Sequence, residues 1–363
     1  MDKNKMARTE DKKKNKKPTI VIGNKKVGEG NPCFIIAEAG SNHNGRLEIA
    51  YKLVDAAVNA KADAVKFQTF RAEKLYVKDS GKADYLKSKE GIYEIIRKME
   101  MPYDWIKKLA DYCSKKDIIF LSSPFDEESA DIMDKYVPAY KIASYEMTHI
   151  PLLKHIARKK KPMIMSVAMA SLQEIEESIT AIRKEGNEKI ILLHCIASYP
   201  APLEASNLRV IEVMMKKFDV PVGMSDHSEH PLYVPMTSVA LGASVVEKHF
   251  TLDKNLPGPD HKYAVNPAGL KEMVACIRAV ETVLGTAEKK VQESEKEIYS
   301  FARRAVHATA DIKKGEKFNE KNIAVLRPGK IKPGIAPRYY ETILGRKSKR
   351  DIKEGEGIQE SYF

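Results

Sequence analysis

The sequence predicts a (β/α)₈ barrel (an α/β TIM-barrel fold) followed by a small β-rich domain, and three observations carry that prediction. Short apolar, β-rich runs alternate with amphipathic helical stretches eight times over about 250 residues. The first strand is followed by Glu38-Ala-Gly40-Ser41-Asn42-His43-Asn44-Gly45, which is not the glycine-rich phosphate turn that an open doubly wound sheet uses there. After Gly285 the alternation stops and tight turns with short strands take over.

The runs fall in order. Ile20–Ile22, a Gly23-Asn24 turn and a segment around Val27 read as a hairpin that plugs the barrel floor. Strand one is expected over 32–37, with a helix over 47–60. Strand two covers 64–67, with helices over 93–100 and 103–116. Strand three covers 118–121, with a helix over 127–136. Strand four covers 139–142, with a helix over 150–159. Strand five covers 162–165, with a helix over 172–185. Strand six covers 189–193, with a helix over 208–218. Strand seven covers 221–224, with a helix over 232–241. Strand eight covers 244–246, with a helix over 267–284. Residues 286–297 read as a helical linker. Beyond them Asp311-Ile-Lys-Lys-Gly315-Glu316 returns as Asp351-Ile-Lys-Glu-Gly355-Glu356, a weak internal repeat about forty residues on that marks a pseudo-symmetric β-rich domain. The expected organisation is therefore a disordered basic tail over 1–17, a barrel over 18–285, a linker over 286–300 and the small domain over 301–363.

Composition narrows the function classes. The chain has 363 residues, 43% hydrophobic and 31% charged, so it can bury a large core. The N-terminus has no apolar run of the kind a secretory signal needs. Cys33, Cys113, Cys195 and Cys276 are scattered without a paired spacing, which suits reduced thiols in a cytoplasmic protein. The net charge of +12 invites a nucleic-acid reading, but residues 1–17 carry eight basic and three acidic groups and residues 286–363 carry eighteen and twelve. The long middle is nearly neutral and shows no aromatic-interleaved basic stripe, so neither nucleic acid nor membrane is an expected partner.

In such barrels function lies where the strands end. Those positions hold Glu38; Lys66 and Gln68; Ser122 and Ser123; Lys141, Ser144 and Glu146; Ser166; His194 and Tyr199; Ser225 and His227; and Glu247, Lys248 and His249. Two lysines and several hydroxyls suit a phosphate-bearing anion. His227 and His249, on neighbouring strands, can share one divalent metal. Glu38 and Glu146 are candidates for proton transfer. Alternation turns Lys66 and Gln68 inward together, likewise Glu247 and His249, and turns Lys248 toward the helices. Each has a plainer reading: Ser122, Ser123 and Ser171 suit helix caps, and Met163, Met165 and Met169 read as core. His43, His149, His155, His230 and His307 read as structural.

At these residues the chain resembles a family. Phe34 to Gly45, Val65-Lys66-Phe-Gln68, Ser123-Pro-Phe125, Tyr140-Lys141-Ile-Ala-Ser144, Leu193-His-Cys195, Tyr199-Pro200, Gly223-Met-Ser225-Asp-His227, and Glu247-Lys-His249-Phe-Thr-Leu-Asp253 with Gly258-Pro-Asp260-His261 are similar to the sialic acid (N-acetylneuraminate and related nonulosonate) synthases. The C-terminal segment resembles their antifreeze-like SAF domain. The resemblance implies condensation of phosphoenolpyruvate with an open-chain N-acetylated hexosamine and water, giving a nine-carbon 2-keto sugar acid and phosphate by C–O cleavage. It implies a divalent metal on His227 and His249, Mn or Mg first, with Co or Zn also accommodated. It places Lys66, Ser123, Lys141, Ser144, Ser166 and Ser225 around phosphoenolpyruvate. Glu38, Gln68, Tyr199 and Asp260 fall around the sugar, and Glu146 moves a proton. Arg327 would enter the partner's site in a domain-swapped homodimer. Ser166-Val-Ala-Met169-Ala, Tyr145 and Ile196-Ala197 depart from the common strings of neuraminate synthases. N-acetylmannosamine and a 2,4-diacetamido-trideoxyhexose thus fit equally. Two readings stand beside this one: another synthase condensing phosphoenolpyruvate with a sugar phosphate, and a non-catalytic glycan-binding barrel.

Overall fold

Strand alternation builds the first layer of the molecule. In a computed structural model that describes residues 18–82 and 90–363, a hairpin comes first, β1 (Ile20–Ile22) paired antiparallel with β2 (Lys25–Val27). Eight parallel strands follow: β3 (Phe34–Gly40), β4 (Ala64–Thr69), β5 (Ile119–Pro124), β6 (Tyr140–Ile142), β7 (Met163–Ser166), β8 (Ile190–Cys195), β9 (Val222–Asp226) and β10 (Val245–His249). They form one sheet in the order β5-β4-β3-β10-β9-β8-β7-β6, and β5 packs alongside β6 to bring the ring round. The first and last strands of the barrel pair directly, with His249 opposite Glu38. Parallel neighbours need crossovers, and each is helical. The main ones are α1 (Leu47–Asn59), α2 (Ala72–Leu75), α3 (Ile92–Met99), α4 (Asp104–Lys115), α5 (Glu127–Met133), α6 (Ile150–Arg158), α7 (Leu172–Lys184), α8 (Val210–Lys217), α9 (Tyr233–Ala240) and α10 (Pro267–Leu284).

Two apolar layers hold this unit. Inward-facing Phe34, Ile36, Ala64, Leu121, Ile164, Ile191, Leu193 and Val245 fill the barrel, and Ile20, Ile22 and Val27 of the hairpin join them from below. The expected floor plug is therefore formed. The opposite strand faces pack on the helices, as with Ile35, Val65, Phe67, Ile142 and Val246 against Leu53, Ile106, Leu152, Ile179 and Ile277. Gly223 is demanded by this packing: a Cβ there would sit 2.4 Å from the Val245 carbonyl oxygen and 2.8 Å from Leu193. Below the strands Arg278 of α10 binds Asp63 and Glu281 and donates to the Cys33 carbonyl, joining the last helix to the start of β3 and β4.

The chain divides into two compact units between Gly285 and Thr286. In the second, α11 (Lys296–Ala302) precedes β11 (Ala305–Ala308) and β12 (Ile323–Leu326), which pair antiparallel; α12 (Tyr340–Ile343) follows. Its own core contains Val306, Ile312, Phe318, Ile323, Ile343, Ile352 and Ile358. The repeat is realised in bonds. Ile312 bridges Ile352, Asp311 accepts from the Glu354 amide at 3.0 Å, and Asp351 accepts from the Lys314 amide at 2.8 Å.

Three expectations need correction. The helix placed at 286–297 forms later, at α11, because Ser294 and its neighbours Glu293 and Glu295 make only a single 3₁₀ turn that leads into it. Met169 is 66% exposed at φ +57°, past the end of β7, so it is not core; Met163 and Met165 are fully buried. Ser171 caps α7 through a reciprocal bond with Glu174, but Ser122 and Ser123 lie within β5 and cap nothing; Asp126 caps α5 instead. The basic tail 1–17 lies outside the described residues. Among the described residues no helix is long and apolar enough to cross a membrane.

Candidate active site

Pleating sends alternate side chains of each strand into the barrel mouth, above the last apolar layer. Glu38 follows Phe34 and Ile36 on β3, and Lys66 follows Ala64 on β4. Lys141 of β6 follows Ala139, which just precedes that strand, and Glu247 and His249 follow Val245 on β10. Glu38, Lys66, Lys141, His227, Glu247 and His249 are all buried. Buried charges persist only when paired, and these are. Lys66 Nζ lies 2.7 Å from Glu38 Oε2 and 3.9 Å from Glu247 Oε1, and donates to Ser123 Oγ at 3.3 Å. Lys141 Nζ donates to Ser166 Oγ at 2.7 Å and lies 3.6 Å from the same Glu247 oxygen. Ser225 Oγ donates to that oxygen at 3.0 Å. Gln68 Nε2 donates to Glu38 Oε1 at 2.9 Å.

The electrostatics follow. Burial pushes the Glu38 carboxyl up to about 7, with Lys66 opposing and Glu247 adding to the rise. Burial acts on Glu247 in the same sense, but Lys141 and Lys66 outweigh it and hold this carboxylate below its ordinary range. Burial lowers the Lys141 ammonium, only partly offset by Glu247. Across the mouth, Glu146 sits in the 3₁₀ turn after β6, buried, with its Oε2 lacking any hydrogen-bond partner among the described residues. Burial drives its carboxyl up to about 8, so it carries a proton at neutral pH.

The imidazoles of His227 and His249 meet edge to face, ring centroids 5.3 Å apart. His227 Nδ1 donates to the Ile196 carbonyl at 2.8 Å, and Cys195 Sγ lies 4.0 Å from its Nε2. Tyr263 lies 3.4 Å and Asp260 3.9 Å from His249 Nδ1. Burial and then the charge of His227 hold His249 far below its usual range, so it stays neutral. Burial acts to lower His227 as well, but Cys195 and the Ile196 carbonyl outweigh it and raise this ring to about 8, so a metal ion here would displace its proton, since a neutral imidazole is the form that ligates. Two adjacent imidazoles are the side chains here whose chemistry suits a divalent ion. Among the described residues no group of three or more His, Cys, Asp or Glu side chains is arranged around one ion.

The remaining groups cluster beside these. The Tyr199 ring lies tilted against His227 and Tyr263, centroids 4.4 Å and 5.4 Å apart. Gly40, at φ +53°, brings its backbone between Asp260, Glu38 and Gln68; a Cβ would meet Asp260 at 3.4 Å and Glu38 at 3.5 Å. Ser144 Oγ accepts from the Ala168 amide at 3.1 Å. Arg327 is exposed on the second unit.

Two side chains differ from the expectation read at the strand ends. His194 turns away from the mouth and its Nε2 meets the Ser206 carbonyl at 2.8 Å. Cys195 takes the inward position, its Sγ 3.7 Å from His227 Nδ1. The signal was present, since Leu193 faces inward and Cys195 shares its parity. Glu247, read only as inward-facing, stands between both lysines, and Tyr263, from the loop after β10, was not singled out at all.

Eight parallel strands ringed by helices, with lysines, carboxylates and two imidazoles gathered at the strand ends, define a TIM-barrel enzyme. Residues 53–289 match the NeuB family and residues 303–363 match the SAF domain. The chain is 49% identical over 354 residues to the spore coat polysaccharide biosynthesis protein SpsE of Bacillus subtilis, covering 93% of this chain and 95% of that one. It is 40% identical over 344 residues to the N,N'-diacetyllegionaminic acid synthase of Legionella pneumophila, covering 92% and 96%. The solved N-acetylneuraminic acid (sialic acid) synthetase of Leptospira borgpetersenii superposes with a TM-score of 0.70 at 34% identity, over 78% of this chain and 95% of that one. The chain therefore belongs to the NeuB family of sialic acid-type synthases, and it carries a SAF domain.

Proposed function

We propose that the barrel condenses phosphoenolpyruvate with the open-chain aldehyde of an N-acetylated hexosamine and water, releasing phosphate and a nine-carbon 2-keto sugar acid. One observation carries this reading: the Lys66 and Lys141 ammoniums, each bonded to a serine hydroxyl, converge on one buried carboxylate beside a pair of imidazoles. Lys66, Lys141 and the hydroxyls of Ser123, Ser144, Ser166 and Ser225 hold the phosphate and carboxylate of phosphoenolpyruvate. Glu38, Gln68, Tyr199 and Asp260 hold the sugar.

The C3 carbon of phosphoenolpyruvate attacks the aldehyde carbon, forming the new C–C bond while the aldehyde oxygen becomes a hydroxyl. Water adds at C2 and gives up a proton. The C2–O bond to phosphate then breaks, leaving the ketone. Glu146 gives and takes these protons in this reading, supported by its burial, its raised carboxyl and an Oε2 without a partner among the described residues. His227 and His249 would hold a divalent ion, Mn or Mg by preference, which would supply Lewis-acid polarisation of the aldehyde oxygen. The resemblances extend the reading to a homodimer in which Arg327 of the partner subunit offers a planar guanidinium to the sugar-side site.

The sugar is N-acetylmannosamine or a 2,4-diacetamido-trideoxyhexose, the latter favoured by the Legionella relative's name. The test is phosphate release by the purified chain with phosphoenolpyruvate, Mn²⁺ and each aldehyde in turn, with erythrose 4-phosphate and arabinose 5-phosphate as controls. Turnover with an N-acetylated hexosamine and none with the sugar phosphates is expected; the reverse pattern overturns the reading.

A further inference from the structure

We propose that the buried Asp226–Lys248 pair is a spacer that sets the separation of the two imidazoles, and that Lys248 thereby tunes the affinity of the site for a divalent cation. This rests on the metal-holding role given above to His227 and His249. Each member of the pair immediately precedes one of those histidines in the chain. Asp226 and Lys248 stand opposite each other in the β9–β10 register, and their side chains leave the face that points into the mouth.

The ammonium of Lys248 has three N–H groups. It meets Asp226 Oδ2 at 2.5 Å, the Ser228 carbonyl, and the His230 carbonyl at 3.2 Å, with Ser228 Oγ also at 3.3 Å. Asp226 is equally saturated: Oδ1 accepts from the Ser228 amide at 2.8 Å and Oδ2 from the Ser228 hydroxyl at 3.0 Å. The network thus ties β10, which carries His249, to both sides of His227 and to the loop beyond it. Both side chains are 1% exposed. An apolar pair of similar volume would pack this layer at least as favourably, because burying an ion pair costs more in lost hydration than its attraction returns in most settings. What an apolar pair cannot do is fix the three residues around His227 through directed bonds. Lys248 is therefore a positioning residue, acting through the backbone that bears the two imidazoles.

The experiment measures Mn²⁺ affinity of the purified full chain by the electron paramagnetic resonance signal of free Mn²⁺. It compares the parent with Lys248→Met, Asp226→Asn and His227→Ala, and records phosphoenolpyruvate binding without metal in parallel. Lys248→Met is expected to weaken Mn²⁺ binding by about tenfold or more, the usual consequence of losing a supporting partner around metal ligands. Asp226→Asn keeps the shape and should lose less. Metal-free phosphoenolpyruvate binding should not change, since Lys66 and Lys141 lie on the inner face; a purely structural lesion would weaken both. Parental Mn²⁺ affinity in the two variants overturns the spacer, and if Lys248→Met does not fold, Asp226→Asn decides alone. Should His227→Ala also bind Mn²⁺ like the parent, the metal reading falls and the spacer with it; loss in His227→Ala alone removes only the spacer.

Discussion

At the scale of single residues, the mouth is governed by how few of its charges face water. Lys141 is bonded to Ser166 and lies near Glu247, so removing its ammonium subtracts one cation from the proposed anion site and leaves Glu247 with less compensation. Lys141→Met is expected to raise the phosphoenolpyruvate KM by about 10- to 100-fold, the range of a lost charge-assisted bond, as read in steady-state phosphate release. Glu146 titrates at about 8 because it is buried. A carboxyl whose folded value is raised contributes stability below its unfolded value, near 4.5, and loses that contribution as pH rises through about 8. Glu146→Gln cannot titrate. Relative to that variant the parent should lose up to about 1.4 kcal/mol per pH unit across this window, measured by urea denaturation at several pH values. The same variant should lose phosphate release, and wild-type turnover with the variant's pH profile would remove Glu146 from the proton path.

At the scale of elements, strand parity decides which groups meet. Gly223 of β9 is the sharpest case: Gly223→Ala drives a Cβ into the Val245 carbonyl oxygen, and a loss of about 3 kcal/mol or failure to fold is expected in chemical denaturation. Parity was legible in the sequence wherever a strand held a recognisable apolar anchor. Phe34 and Ile36 point to Glu38, Ala64 to Lys66 and Gln68, and Val245 to Glu247 and His249. It misled at β8, where the ionisable His194 drew attention and the inward Cys195 did not. Residues delivered by loops, such as Tyr263 and the backbone of Gly40, had no periodic signal to announce them. The later onset of α11 has no such account: 286–297 has helical composition, yet the helix begins only at Lys296, and neither stretch has a buried face.

At the scale of the whole molecule, each unit owns an apolar core, the barrel with its two layers and the second unit with Val306, Ile312, Phe318 and their neighbours. Chains covering 18–285 and 286–363 expressed apart should each unfold cooperatively in calorimetry, the barrel retaining its fold. Loss of turnover from the isolated barrel is the outcome expected if the second unit supplies Arg327 to catalysis.

The hairpin beneath the strands gives the barrel a closed bottom, since Ile20, Ile22 and Val27 fill the space under Phe34 and Ile36. A vessel with one opening exchanges its contents in sequence. Glu38, Lys66 and His249 stand opposite one another in register on β3, β4 and β10, so under the proposed reaction both substrates arrive and both products leave past the same ring of side chains.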